Sequence, residues 1–137
     1  LGNIYARRDW GHAKDYVEMQ WKILQQKKPD DFVISTDNTF SVKDFINLAC
    51  KILKIKIQWK GKGLSEKAYE IKNKKKLLLI KINKKYFRPL DIDYLRGDSS
   101  KAKKILKYKA KYNFKDLVKE MLYSDINQQK KILNKIY

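Results

Sequence analysis

One cysteine, one histidine and two prolines are all that this chain of 137 residues holds of those types. A single cysteine, Cys50, cannot close an internal disulfide, which excludes a disulfide framework and fits a reducing compartment; the expected location is cytoplasmic. One His and one Cys also fall short of the roughly four nitrogen and sulfur ligands of a structural zinc site. No apolar run approaches the ~18 residues of a membrane span. The longest, Leu77-Leu78-Leu79-Ile80, is strand-sized, so no membrane partner is expected. Arg7, Arg8 and Asp9 interrupt the first residues before any secretory leader pattern develops.

Familiar catalytic signatures are missing too. There is no G-x-G-x-x-G turn for a dinucleotide and no Walker sequence. No Gly-x-Ser-x-Gly elbow and no H-E-x-x-H are found. Arginine is scarce: Arg7, Arg8, Arg88 and Arg96 are the four among 33 basic residues. What is abundant is lysine. It gives a net charge of +18 and an isoelectric point near 9.9. Such a charge suits nucleic acid or an anionic surface. A protein built to grip phosphates would use more arginine, whose planar fork binds two oxygens at once. Lys, Ile, Asn and Tyr are enriched along the whole chain, so the charge reads as a solvated surface. The corollary is that each arginine marks a place where lysine does not serve.

Hydrophobic residues make up 43% of the chain, enough for the core of one domain. Residues 1–11 read as a short strand and a turn. From 12 to 28 the pattern is helical, with Ala13, Tyr16, Val17, Gln20, Trp21 and Leu24 on one mostly apolar face and Pro29 as the stop. Phe32-Val33-Ile34-Ser35 has the look of a strand buried on both faces. Thr36-Asp37-Asn38 is a turn. Ser41-Val42-Lys43-Asp44 resembles a capping box opening a helix over about 42–54. Ile55 to Trp59 alternates as a strand does, and Leu77 to Ile82 is another. Between them, 60–76 reads as a polar loop with a basic tip at 72–76. Pro89 is expected to hold Arg88 extended. Helices follow over about 100–107 and, after an Asn113–Asp116 cap, 114–124. A fraying Gln/Lys/Ile tail closes the chain. The sum is four helices and about four strands in a mixed α/β arrangement.

Little of this carries chemistry by itself. His12, with Asp9 and Asp15 close in sequence, is either a general acid or base or a hydrogen-bonded helix-start residue. Cys50 is either a nucleophile or a small buried hydrophobe. Two arginine segments stand out because both lie in Gly- or Pro-framed loops, where functional residues gather. If Arg8 and Arg88 converge, they form a clamp for a diphosphate, with Asp91 free to accept from a sugar hydroxyl. Alternatively each arginine pairs with its neighbouring acid, Arg8 with Asp9 and Arg88 with Asp91.

Those same segments carry a resemblance. Leu1-Gly2-Asn3-Ile4, the block from Arg8 to Val17 (RDWGHAKDYV), Asp31-Phe32-Val33-Ile34, Tyr86-Phe87-Arg88-Pro89, Gly97-Asp98 with Lys101-Ala102, and Phe114 with Leu117 to Met121 resemble, in order, the C-terminal part of GDP-mannose 4,6-dehydratases. These belong to the extended short-chain dehydrogenase/reductase superfamily, with its NAD(P)-binding Rossmann-like fold. The resemblance runs over 1–125, leaving 126–137 as a basic tail.

The resemblance implies an α/β C-terminal substrate-binding lobe with the Rossmann core largely missing. Phe32 to Ser35 would then be an outer strand of a parallel sheet. It implies a lyase that converts GDP-mannose to GDP-4-dehydro-6-deoxy-D-mannose, toward GDP-fucose and related deoxysugars. NADP takes hydride from C4 and returns it to C6 after water is lost. The catalytic residues and the cofactor turn of the family lie outside the matched part, so this segment alone is expected to be inactive. Matched residue by residue, Arg8 and Arg88 hold the diphosphate. Asp91 takes the place of a ribose-binding Glu, and Gly2 and Asn3 lie beside the nucleotide. The implied partners are GDP-mannose, the N-terminal nucleotide-binding domain and further copies in a homo-oligomer, with no nucleic acid. One departure bears on stability: Leu106-Lys107-Tyr108-Lys109-Ala110 replaces the family's Leu-Gly-Trp-x-Pro, losing a helix-ending glycine and a proline. The other class of reading is a stand-alone basic module for nucleic acid.

Overall fold

The computed structural model describes residues 1–88 and 90–136. Pro89, expected to hold Arg88 extended, lies outside them. The order of elements is β1 (Arg7–Asp9), α1 (Ala13–Leu24), β2 (Thr39–Ser41), α2 (Val42–Ile52), β3 (Ile57–Lys60), β4 (Lys67–Lys72), β5 (Lys75–Lys81), α3 (Ser100–Ile105) and α4 (Phe114–Ile136), with short 3-10 turns at Gly63–Ser65 and Lys84–Tyr86. β1 pairs with β2, and β3-β4-β5 form an antiparallel sheet. The chain is therefore mixed in helix and strand, as its patterning indicates. It makes two compact units, Leu1–Arg8 with Phe40–Leu95, and Asp9–Thr39 with Arg96–Tyr137.

In the first unit α2 begins where the capping box predicts. Ser41 Oγ accepts from the Asp44 N–H at 3.0 Å and Asp44 Oδ2 accepts from the Ser41 N–H at 2.8 Å. The helix ends as Lys54 turns left-handed (φ 58), and the Ile55 N–H reaches back to the Cys50 carbonyl at 2.8 Å. Ile4, Ala6, Ile46, Cys50 and Ala68 are its buried apolar residues. The stretch expected to be a polar loop over 60–76 contains β4, which alternation of Ala68, Tyr69, Glu70 and Ile71 does not announce. The basic tip is the hairpin turn itself: Asn73 and Lys74, both left-handed at φ 51 and 61, match a two-residue turn of the twist that suits a hairpin. The strand expected within residues 1–5 sits instead at 7–9, because residues 3–6 form a turn around the Asn3 side chain.

In the second unit Met19, Ala102, Leu106 and Tyr108 form the core, with Ile23, Phe32 and Ile34 packed on it. Here three expectations need correction. α1 ends at Leu24 rather than at 28: the N–H groups of Gln25 and Gln26 turn to the carbonyls three residues back, Lys22 and Ile23, at 3.2 and 3.1 Å, and the Gln26 side chain donates to the Lys22 carbonyl at 3.0 Å. Its inward face is His12, Asp15 and Met19, while the face chosen from spacing is open: Val17, Trp21 and Leu24 are 62%, 62% and 80% exposed. Phe32 to Ser35 is not assigned as a strand. Phe32 and Ile34 point to the core and Val33 is exposed, so the segment has a strand's alternation without a ladder partner among the described residues. The expected parallel sheet is accordingly not seen; an isolated bridge between Arg7 and Tyr94 is parallel.

α3 ends at Ile105, with Lys107 left-handed at φ 55. α4 starts under the expected cap, Asn113 Oδ1 accepting from the N–H groups of Lys115 and Asp116 at 2.9 and 3.1 Å. It runs to Ile136, past the expected 124. Phe114, Val118 and, half-buried, Leu122 and Ile126 hold its first turns. The rest continues on good helix formers without Gly or Pro.

Candidate functional site

All five candidate residues lie in the first unit, on two segments that hydrogen-bond to each other. The chain start is tied to the end of β5. The Asn83 N–H donates to the Leu1 carbonyl at 2.8 Å and the Leu1 amino group to Lys81 O at 3.1 Å. Gly2 allows this approach, since a Cβ there would run into the Tyr86 carbonyl. Asn3 shapes the next turn: its Oδ1 accepts from the N–H groups of Tyr5 and Ala6 at 2.9 and 3.3 Å, while Nδ2 faces Asp93 Oδ1 at 3.5 Å. Further along, Arg7 N–H donates to Asp93 O at 2.7 Å and its carbonyl accepts from Leu95 N–H at 3.0 Å. Residues 1–8 thus run along residues 83–95.

On that strip Arg8 donates from Nη2 to Asp91 Oδ1 at 2.7 Å and from Nη1 to the Arg7 carbonyl at 2.9 Å. The Asp91 N–H in turn donates to the Arg88 carbonyl at 3.1 Å. Arg88 is exposed, and its guanidinium has no hydrogen-bond or ion-pair partner among the described residues. The acid pairing read from neighbours in sequence is therefore corrected. Arg8 takes Asp91, and Asp9 accepts from the N–H and hydroxyl of Thr36, both at 2.8 Å. The arrangement offers a free guanidinium, a second one held by a carboxylate, and that carboxylate itself, all within one strip.

His12 takes the helix-start reading. Its Nδ1 accepts from the Lys14 N–H at 3.1 Å as the cap of α1. Nε2 therefore carries the proton and faces Glu120 Oε2 at 3.2 Å, and the ring stacks on Tyr112 with centroids 4.3 Å apart. Asp15, buried, accepts from the backbone N–H groups of Lys111 and Tyr112 at 3.0 and 3.2 Å. Both ring nitrogens of His12 thus serve contacts within the second unit, the cap of α1 and the link to α4. Cys50 is buried, and burial followed by the nearby Glu70 pushes its thiol up, away from reactivity.

Sequence reasoning missed a buried charged cluster in the same unit. Glu66, 2% exposed, accepts from Tyr5 Oη and Lys43 Nζ, each at 2.5 Å. Lys43 also lies over the rings of Trp59 and Tyr5, 4.7 and 5.0 Å from their centroids. Burial pushes Glu66 up, yet its bonds to Lys43 and Tyr5 prevail and hold it below the usual glutamate value. Nothing marks Lys43 among so many lysines in the sequence. Among the described residues, no three metal-ligating side chains gather, and no helix is long and apolar enough to cross a membrane.

Comparison with known proteins agrees with the resemblance. A family model described as GDP-mannose 4,6 dehydratase matches residues 1–121. The chain is 49% identical over 126 residues to GDP-mannose 4,6 dehydratase of Dictyostelium discoideum, covering 92% of this chain and 35% of that protein. It is 45% identical to the Drosophila melanogaster enzyme of the same name, over 96% of this chain and 33% of the relative. The Homo sapiens one is 42% identical, over 92% and 33%. The chain spans about a third of the length of these curated relatives. Matched over nearly all its length by both the family model and these proteins, the chain belongs to the GDP-mannose 4,6 dehydratase family.

Proposed function

We propose that this chain is the nucleotide-sugar-binding part of a GDP-mannose 4,6-dehydratase, a lyase forming GDP-4-dehydro-6-deoxy-D-mannose on the way to GDP-fucose and related deoxysugars. Residues 1–125 are its substrate-binding lobe, of the extended short-chain dehydrogenase/reductase type, and 126–137 its basic tail. Arg8 and Arg88 take the two phosphates. Asp91 accepts from the ribose, and Gly2 and Asn3 shape the backbone beside the nucleotide. The enzyme works in the cytoplasm as a homo-oligomer.

The observation that carries this reading is the Arg8–Asp91 pair. It draws the two arginine segments into one strip, on which the exposed Arg88 guanidinium has no partner among the described residues and can meet a ligand. A diphosphate offers oxygens in a plane that guanidinium matches and ammonium does not. The Arg8–Asp91 pair is also partly solvated, so a phosphate can displace Asp91 from Arg8 at little cost.

The chain's own residues do not suit NADP. Its glycines are Gly2, Gly11, Gly61, Gly63 and Gly97, and none forms the glycine-rich turn from strand into helix that receives a pyrophosphate. The cofactor is accordingly assigned to the N-terminal nucleotide-binding domain of the family. The open Val17–Trp21–Leu24 stripe of α1 supports a neighbouring domain as its cover.

The test is a GDP titration of the complete enzyme. Charge-assisted bonds are worth ~1.5–3 kcal/mol each, so Arg88→Lys weakens GDP roughly tenfold to a hundredfold, while Lys74→Gln leaves it unchanged. Equal affinity in wild type and Arg88→Lys overturns the reading.

A further inference from the structure

Strand register in the first unit sorts the sheet's side chains onto two faces. Ala68, fully buried, sits opposite Trp59 and Ile80 and marks the inner face. The outer face carries three rows. At one end Lys60, Lys67 and Lys81 stand directly opposite one another across all three strands. In the middle are Gln58, Tyr69 and Leu78. At the other end Ile71 opposes Lys76, and its N–H donates to the Lys56 carbonyl at 2.8 Å, placing Lys56 in the same row. Among the described residues of these strands no acid occurs on this face; Glu70 belongs to the inner one.

Like charges directly opposed on a sheet destabilise it, so an anion seated on these rows would be favoured by relieving that repulsion. Lys60 also reaches Lys76 across the middle row, and that side-chain contact, followed by the charge of Lys60, holds the Lys76 ammonium below the usual lysine value. The cationic rows stand four residues apart along the strands, about 13 Å at ~3.3 Å per residue. Between them lies an apolar patch of half-buried Tyr69 and Ile71 with Leu78, which is 46% exposed.

We propose that this sheet face docks an acidic polypeptide segment of a partner protein. Carboxylates settle on the two lysine rows, and an apolar side chain between them covers Tyr69 and Leu78. A second copy of this chain is disfavoured because it would bring lysine rows against lysine rows. A nucleic acid strand presents unbroken charge, which would leave the apolar row against phosphates, and one ring is no succession of stacking platforms. The inference does not rest on the nucleotide-sugar reading.

The test measures fluorescence anisotropy of three labelled probes against the full chain: a peptide with a Leu-Val-Leu centre flanked by glutamates, poly-L-glutamate and a thymidine oligonucleotide. The peptide is expected to bind tightest. Changing Lys60 and Lys76 together to Glu should weaken it roughly tenfold or more, and Lys104→Glu, in the second unit, should change it less than about twofold. Leu78→Gln should weaken the peptide and leave poly-L-glutamate unchanged. All these positions are exposed, and circular dichroism confirms folding. Equal losses for Lys60/Lys76 and Lys104 variants, equal binding of peptide and poly-L-glutamate, or tighter oligonucleotide binding with the same row dependence each overturn the proposal. So does a dimer in sedimentation equilibrium that Leu78→Gln abolishes, which assigns the face to a second copy.

Discussion

Arg8 and Asp91, 83 positions apart, meet in a 2.7 Å ion pair with side chains 30% and 28% exposed. A pair this solvated contributes under ~1 kcal/mol to stability. Its larger effect is on ligands, because the carboxylate competes with any anion for the guanidinium. Asp91→Asn is therefore expected to tighten inorganic pyrophosphate binding a few-fold (on the order of the lost pair) without a matching gain for GDP, whose ribose, in the proposed role of Asp91, would meet a neutral amide oxygen in place of a carboxylate. Calorimetric titration of both ligands into the complete enzyme checks this.

The end of α3 offers a gain in stability. Lys107 holds φ 55, a left-handed conformation costing a side-chain-bearing residue roughly 1–2 kcal/mol. Glycine adopts it freely but brings more entropy to the unfolded chain. Lys107→Gly should stabilise by about 1 kcal/mol net, a rise in Tm of about 2–6 °C in a thermal scan.

Tyr108 carries a buried hydroxyl with no hydrogen-bond partner among the described residues. Burial, followed by Tyr16 and nearby carboxylates, pushes its pKa up to about 12. Removing an unsatisfied buried hydroxyl is neutral or stabilising, so Tyr108→Phe should lose no stability at neutral pH and gain up to about 1 kcal/mol. The raised value also fixes a sign. The stability it contributes is complete below the unfolded value of 10.0 and is lost as pH rises toward 12. Alkaline unfolding should therefore begin at higher pH in the Phe variant.

Glu66 governs the acid limb. Its carboxyl is held below the usual 4.5, so its contribution is complete above that pH and is lost as pH falls below it. Glu66→Gln leaves Lys43 without its carboxylate and should cost roughly 2–3 kcal/mol at pH 7. Denaturant midpoints at pH 7 and pH 3 should differ less in the variant than in wild type.

How much of this the sequence discloses depends on the distance over which each feature is decided. The Ser41–Asp44 box and the Asn113–Asp116 cap are legible because cap, helix start and hydrogen bond lie within four residues. The burial of α1 is not: Val17, Trp21 and Leu24 make a good amphipathic stripe, yet the core sits against Met19, and spacing cannot say which of two faces finds a partner. β4 is hidden because its lysines read as loop, although cross-strand pairing with β5 makes it sheet. The Arg8 and Arg88 motifs are legible as blocks, but the choice of Asp91 over Asp9 depends on residues 1–8 lying along 83–95. Glu66 leaves no local trace at all, since its two partners, Tyr5 and Lys43, come from segments 61 and 23 positions away.

The strip formed by residues 1–8 and 83–95 has a kinetic consequence. The β4–β5 hairpin closes through a two-residue turn and can form in about 1–10 μs. The ties from Leu1 to Asn83 and from Arg8 to Asp91 must instead close loops of more than eighty residues, and such non-local contacts slow folding. Assembly of the first unit is thus expected to begin at the hairpin and to finish where its two arginine-bearing segments meet.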